Sequence, residues 1–249
     1  MKRLLAGSQS AWGASLPDSS EIIAKVTADT GVDFLWIDLE HRSFEVDAVR
    51  WIPIICRRKG CACMIRVAGL DAQLIKKALD AGANCVMVPQ VNTADEAKRA
   101  VEYAKYPPEG SRGVSPYWTL QMDVSWDQYL PVANEEICVV VQVETPQGIR
   151  NLDSIASVPG VDVVFAGPTD LSASMGHIGQ LNHPEVQQFL ADFPTRVAAH
   201  GKAAGITFAD PDACRRAHQQ GYRFIVFGSV LSYGTRGLVS DLASMRSLG

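Results

Sequence analysis

Ile137-Cys138-Val139-Val140-Val141-Gln142-Val143-Glu144 is the stretch on which the reading of the fold turns. An unbroken apolar, Val-rich run is what a strand buried on both faces presents, as in a parallel sheet covered by helices. The run closes on Gln142 and Glu144, which share parity and so point to the same side of the strand. Seven more runs resemble it: Leu4 to Gly13, Phe34 to Asp38, Cys61 to Val67, Cys85 to Val91, Val161 to Ala166, Ala203 to Phe208 and Phe224 to Phe227. Helix-like polar stretches separate them. Ala72 to Leu79 spaces its apolar residues helically and stops at Asp80-Ala81-Gly82, and Arg215 to Gln220 stops at Gly221, each glycine suiting a left-handed cap. Eight strands alternating with helices predict an α/β fold of the (β/α)₈ TIM-barrel type. The 249 residues suit a single barrel domain over residues 1–249, since such barrels typically need roughly 250.

Composition narrows the function classes. The net charge is -4, from 27 acidic and 23 basic residues, and no basic run tracks a phosphate backbone, which argues against nucleic acid. Met1-Lys2-Arg3-Leu4-Leu5-Ala6 turns polar at Gly7 to Ser10, too soon for a secretory signal, and no segment reaches the roughly 18 apolar residues of a membrane span. A soluble, cytoplasmic protein is the expectation. The six cysteines lack metal-binding spacing and lie mostly in apolar runs, so they read as reduced, buried thiols.

Two stretches exceed a minimal barrel. Tyr106 to Asn134 contains the Pro- and Gly-rich Tyr106-Pro107-Pro108-Glu109-Gly110-Ser111-Arg112-Gly113, and Ser172 to Pro184 contains His177 and His183. Because the loops after barrel strands build the active-site face, both are candidate substrate loops, with oligomer contacts as the alternative.

Polar residues at the ends of apolar strands carry the chemistry, because those ends converge on one mouth. Glu144 and Asp170 end consecutive strands, and two carboxylates with waters commonly hold Mg²⁺ or Mn²⁺; capping of helix N-termini is the plainer explanation for each alone. Arg66 closes the third run, where an unpaired guanidinium would be costly. It reads either as half of a core ion pair or as a fork for a substrate carboxylate or enolate oxygen. His41 follows Asp38-Leu39-Glu40, and Asp80 at the end of a helix is a carboxylate that could orient it as a general base.

At these residues the sequence resembles the HpcH/HpaI family of class II pyruvate aldolases. The resemblance runs through Trp36-Ile37-Asp38-Leu39-Glu40-His41, Met64-Ile65-Arg66, Val88-Pro89-Gln90-Val91, Tyr106 to Gly113, Gln142-Val143-Glu144-Thr145, Gly167-Pro168-Thr169-Asp170-Leu171-Ser172 and Phe227-Gly228-Ser229. It implies cleavage of a 4-hydroxy-2-oxo acid to an aldehyde and pyruvate, or a close analogue such as hydroxypyruvate. It further implies a divalent metal ion (Mg²⁺, Mn²⁺ or Co²⁺) on Glu144 and Asp170, with Arg66 on the pyruvate carbonyl oxygen. His41 with Asp80 would be a proton-transfer dyad acting through water. Asp38 and Gln142 would lie at the substrate, and the turn Gly167, Pro168, Thr169 and Asp170 would receive its carboxylate. Homohexamers, as trimers of dimers, with a neighbour closing the site and a C-terminal helix swapped between subunits, are also implied.

The chain departs from many sugar-acid aldolases at Val114-Ser115-Pro116-Tyr117-Trp118-Thr119, which leaves the aldehyde half open. An acyl-CoA lyase of the malyl or citramalyl type is the nearest rival, but no basic cluster for CoA phosphates is evident. A phosphate-binding barrel isomerase, suggested by Gly228-Ser229, leaves Glu144 and Asp170 unexplained, and a non-catalytic oxo-acid binder leaves His41 and Arg66 without a task.

Overall fold

The computed structural model describes residues 1–7 and 9–247. Eight strands, β1 (Ala11–Ser15), β2 (Phe34–Asp38), β3 (Ala62–Arg66), β4 (Cys85–Val88), β5 (Cys138–Val143), β6 (Val163–Ala166), β7 (Ala203–Phe208) and β8 (Phe224–Phe227), pair in chain order into a closed parallel barrel. The helices are α1 (Lys2–Ala6), α2 (Glu21–Asp29), α3 (Ile52–Arg58), α4 (Ala72–Asp80), α5 (Ala94–Ala104), α6 (Trp126–Tyr129), α7 (Ala133–Glu136), α8 (Pro146–Arg150), α9 (Leu152–Ala156), α10 (Pro168–Ser174), α11 (Pro184–Ala198), α12 (Pro211–Gln219) and α13 (Val230–Arg246).

Strand parity divides the core in two. Phe34 and Trp36, Cys138 and Val140, and Val163 and Phe165 fill the barrel interior, whereas Leu35, Ile37, Val139, Val141 and Val164 join a second cluster under the helices. Gln142 continues the inward set of β5. The interior is tight because Phe34 stacks on Phe224 at 4.2 Å, and Gly13 faces Phe34 across the β1–β2 register. All six cysteines are buried and unbridged. Gly82 (φ +110°) and Gly221 (φ +105°) turn the chain just after α4 and α12, where no side chain fits comfortably.

Two expectations change. The first strand does not begin at Leu4: Lys2 to Ala6 form a helix, and β1 starts at Ala11. Lys, Arg, Leu and Ala are good helix formers, and the open floor of the barrel offers Leu5 an apolar seat beside Ala11 and Phe34. The long stretch from Tyr106 to Asn134 is the second change. It follows α5 and leads into β5, so it belongs to the floor and not to the mouth. It is also partly ordered into short helices, with Tyr106, Trp118, Tyr129 and Ala133 packing on Ile54. Trp118 is buried against Arg57, while Tyr117, Leu120 and Trp126 face outward.

Helix α13 is unusual for a barrel because none of its residues is buried, and Leu238, Val239 and Met245 are exposed. Beside its start runs an apolar groove of about 600 Å³ lined by Trp12, Val26, Thr27, Val32, Phe227 and Tyr233. No helix among the described residues is long and apolar enough to cross a membrane.

A Cβ on Gly13 would stand 2.3 Å from the Phe34 ring, far inside contact distance. Gly13→Ala is expected to cost about 1–3 kcal/mol through displacement of that ring, read as a lower midpoint in urea unfolding. An unchanged midpoint would show that the interior has slack.

Candidate active site

The β2–β3 register sets Asp38 directly beside Arg66. Arg66 is buried, and its Nε and Nη2 donate to the two oxygens of Asp38 at 2.9 and 2.8 Å. Its Nη1 makes an ion pair with Glu40 at 2.9 Å and a longer bond to Gln142 Oε1 at 3.4 Å. Arg66 is thus half of a core ion pair, and it lines the mouth. Burial raises the Asp38 carboxyl, but the bonds from Arg66 outweigh burial and hold it below the usual range. Asp38 also accepts from the backbone amides of Glu40 and His41, so its oxygens anchor the loop as well as the guanidinium.

Glu144 sits one residue beyond β5 and is buried. Its Oε2 accepts from Gln142 Nε2, and its Oε1 accepts from the Gln90 amide at 3.0 Å. Gln90 adopts φ +54°, a conformation few non-glycine residues take, and this turns its amide across the mouth. Burial pushes the Glu144 carboxyl up to about 7, with the nearby charges of Asp170 and Glu40 adding to the rise. Burial likewise raises Glu40.

Gly167 caps α10 with its backbone alone, Pro168 opens the helix, and Asp170 lies in its first turn. A Cβ at Gly167 would fall 2.4 Å from Glu144 Oε2 and 2.5 Å from Gln142 Nε2, so only glycine lets the chain pass this close. The result is a cavity of about 380 Å³ lined by Trp36, His41, Arg66, Gln142, Gly167, Pro168, Thr169, Asp170 and Thr207.

His41 lines this cavity with an exposed ring, and its Nε2 lies 3.6 Å from Glu40 Oε2. Asp80 is elsewhere. Helix α4 starts at the mouth after β3 and runs nine residues toward the floor, about 13 Å, where Asn84 bonds Cys63 at the start of β3. There Asp80 accepts from Arg112 at 2.6 Å, and burial raises its carboxyl while Arg112 opposes the rise. One chain therefore does not bring His41 and Asp80 together. The order of elements already implies this, because a helix that follows a barrel strand ends at the floor.

Glu40, Trp36 and Thr207 also belong to the site, although the strand-end reading passed over them. Glu40 and Trp36 share the parity of Asp38, and Thr207 lies near the end of β7; those were the available signals. The stretch Ser172 to Pro184 does rise from the mouth: the Ser174 hydroxyl donates to the Glu144 carbonyl at 2.8 Å.

Residues 13–232 match the family model for HpcH/HpaI aldolase/citrate lyase. The chain belongs to that family. It is 36% identical over 233 residues to a hydroxypyruvate/pyruvate aldolase of Cupriavidus necator, covering 91% of this chain and 85% of that protein. It is likewise 36% identical over 240 residues to a 2-keto-3-deoxy-L-rhamnonate aldolase of Salmonella paratyphi B, covering 95% and 89%. The crystal structure of an HpcH/HpaI aldolase/citrate lyase family protein from Burkholderia cenocepacia superposes with a TM-score of 0.89 at 33% identity, covering 98% of both chains. These matches span the mouth and the floor alike, so the membership concerns the whole barrel.

Replacing Arg66 with Met would strand Asp38 and Glu40, both largely buried, without their cation. Arg66→Met is expected to lose about 3–5 kcal/mol of stability in urea unfolding at neutral pH. A loss below about 1 kcal/mol would mean that the guanidinium does not hold the mouth together.

Proposed function

We propose that this chain is a class II aldolase that reversibly cleaves a 4-hydroxy-2-oxo acid to an aldehyde and pyruvate, or a close analogue such as hydroxypyruvate. The observation that carries this reading is the crowding of Glu144 and Glu40 beside Asp170, which lines a cavity whose arginine is already paired with Asp38. Carboxylates so placed repel one another, and all-oxygen donors suit Mg²⁺, Mn²⁺ or Co²⁺. Glu144 and Asp170 would hold such an ion, which when bound supplies a Lewis acid to the 2-oxo acid.

The chain's own groups do the rest. The Arg66 edge facing the cavity stabilises the negative charge that develops on the ketone oxygen, while Asp38 and Gln142 keep that edge in place. The amides of Thr169 and Asp170, which lack carbonyl partners inside α10, receive the substrate carboxylate beside Gly167. In cleavage, His41 acting through a water removes the proton of the 4-hydroxyl group. The C3–C4 bond breaks, its electron pair moves toward the ketone oxygen, and the aldehyde departs. The proton then returns to C3 and gives the methyl group of pyruvate. Condensation is the reverse.

The same reading assigns Asp80 to the His41 of a neighbouring copy, because the floor of one barrel has to meet the mouth of another for that dyad to exist. Exposed Tyr117, Leu120 and Trp126 on the floor and the unburied α13 beside its apolar groove supply the contact surfaces. We assign a homohexamer, a trimer of dimers, with α13 swapped between barrels, and a cytoplasmic setting in which the free thiols stay reduced.

Chelation tests the chemistry without knowledge of the aldehyde. Exchange of pyruvate methyl protons in D₂O, followed by NMR, should cease after EDTA treatment and return with Mg²⁺, Mn²⁺ or Co²⁺. A borohydride-trapped adduct between pyruvate and a lysine would overturn the scheme.

Complementation tests the shared dyad. His41→Ala and Asp80→Asn should each lower turnover by about 10²–10⁴-fold. Mixed oligomers of the two should recover up to about a quarter of wild-type activity, the statistical share of sites with both intact residues from different chains. Mixed oligomers as inactive as their parents would overturn the assignment.

A further inference from the structure

The loop between β6 and α11 carries a cluster that the aldol chemistry does not use. Gly176 and Gly179 take left-handed φ values of +84° and +75°, and the loop winds through bonds from Gln180 N to the His177 carbonyl and from His183 N to the Gln180 carbonyl. This winding stacks the His177 and His183 rings, with centroids 3.4 Å apart and planes at 17°. Glu185, in the first turn of α11, sets its Oε2 2.9 Å from His177 Nε2. One donor atom from each of the three residues lies within 4.8 Å of the others.

We propose that His177, His183 and Glu185 form a second cation site, separate from Glu144 and Asp170, for a borderline transition ion of the Zn²⁺ class. One nitrogen from each ring and a carboxylate oxygen, all within 4.8 Å of one another, make a three-ligand set with a position left for water once the two rings turn out of their stack toward a shared ion. Imidazole ligands favour Zn²⁺, Co²⁺ or Ni²⁺ over Mg²⁺, which prefers oxygen donors such as those at the mouth. The two sites are thus sorted by donor type. His183 now caps α11 through a long 3.4 Å bond from the Glu185 amide to its Nδ1, a contact weak enough to yield if the ring turns that nitrogen to the ion.

An ion there would clip the loop to the first turn of α11. The same loop reaches the mouth through Ser174, whose hydroxyl holds the carbonyl of Glu144. The clip therefore constrains the segment over the site without supplying a group to the reaction.

The test uses the untagged full chain, stripped of metal and then held in excess Mg²⁺ to fill the oxygen site, with Co²⁺ as the spectroscopic probe. We expect visible absorption of nitrogen-ligated Co²⁺ at one equivalent per chain, displaced by Zn²⁺. His177→Ala and Glu185→Gln should weaken Zn²⁺ binding at least about tenfold and abolish the absorption, with circular dichroism unchanged. Glu144→Gln should keep it. Persistence of the absorption in His177→Ala, or its loss in Glu144→Gln, would overturn the proposal, because the ion would then sit elsewhere.

Discussion

A buried guanidinium has to be neutralised where it stands, and at Arg66 that requirement organises the mouth of the barrel. The neutralising carboxylate comes from the neighbouring strand at the same level of the register, so the Arg66–Asp38 pair exists only if β2 and β3 align as they do. A slip by one residue would turn Asp38 to the outer face and leave Arg66 charged and alone. From Arg66 the constraint spreads through Gln142 to Glu144, from Glu144 to the Gln90 amide, and from both side chains to Gly167, which they press too closely for any Cβ. Ends of β2, β3 and β5, with the turns after β4 and β6, are thereby tied into one network. The placement of the strand-end polar groups follows from barrel closure, and the two turns are fastened to them.

How much of this was legible depended on what each feature reports. Strands buried on both sides read as continuous apolar runs, and β2, β7 and β8 accordingly match the sequence reading residue for residue. Leu4 and Leu5 misled because apolar character alone does not separate a strand from a short helix seated on an apolar floor. Strand-end polarity pointed to Arg66, Gln142 and Glu144, whose place at the mouth follows from parity, and to Asp170, which the structure puts in the first turn of α10. It missed Glu40 because Glu40 lies beyond β2 in an irregular turn, where the bond from its backbone amide to Asp38 and its ion pair with Arg66 bring it back to the mouth. The pairing of His41 with Asp80 went astray on topology: α4 follows β3 and so ends at the floor, away from His41 at the mouth of the same chain.

The two ends of the barrel are therefore unequal. The mouth concentrates charge, while the floor carries the insertion from Tyr106 to Asn134, whose inner side is packed on Ile54 and whose outer side leaves Tyr117, Leu120 and Trp126 in solvent. Asp80 stands at that floor, gripped by an Arg112 whose side chain is fully buried and stacked over Tyr106. Neutralising the buried Arg112 is by itself a reason for Asp80 to be held there. The same mount fixes the carboxylate beside an exposed apolar surface, which suits the role proposed for it toward a neighbouring copy, where positional error would weaken catalysis steeply.

The charge balance of the mouth makes the same point from within one chain. Asp38, Glu40, Glu144 and Asp170 outnumber the single guanidinium that faces them, and burial, with that surplus of negative charge adding to it, raises the Glu144 and Glu40 carboxyls above their ordinary range. For folding alone, apolar residues at these positions would be at least as stable, as replacements of buried ionic groups commonly are. The continuous apolar strands beneath supply stability enough for the barrel to tolerate the repulsion. What tolerates repulsion in the free state gains most from a cation and from a ligand that offers adjacent oxygens to it. In the proposed scheme a 2-oxo acid does so, with its ketone oxygen toward Arg66 and its carboxylate toward the turn at Gly167. On this argument the unfavourable electrostatics of the mouth and the proposed selectivity for a chelating oxo acid have one cause.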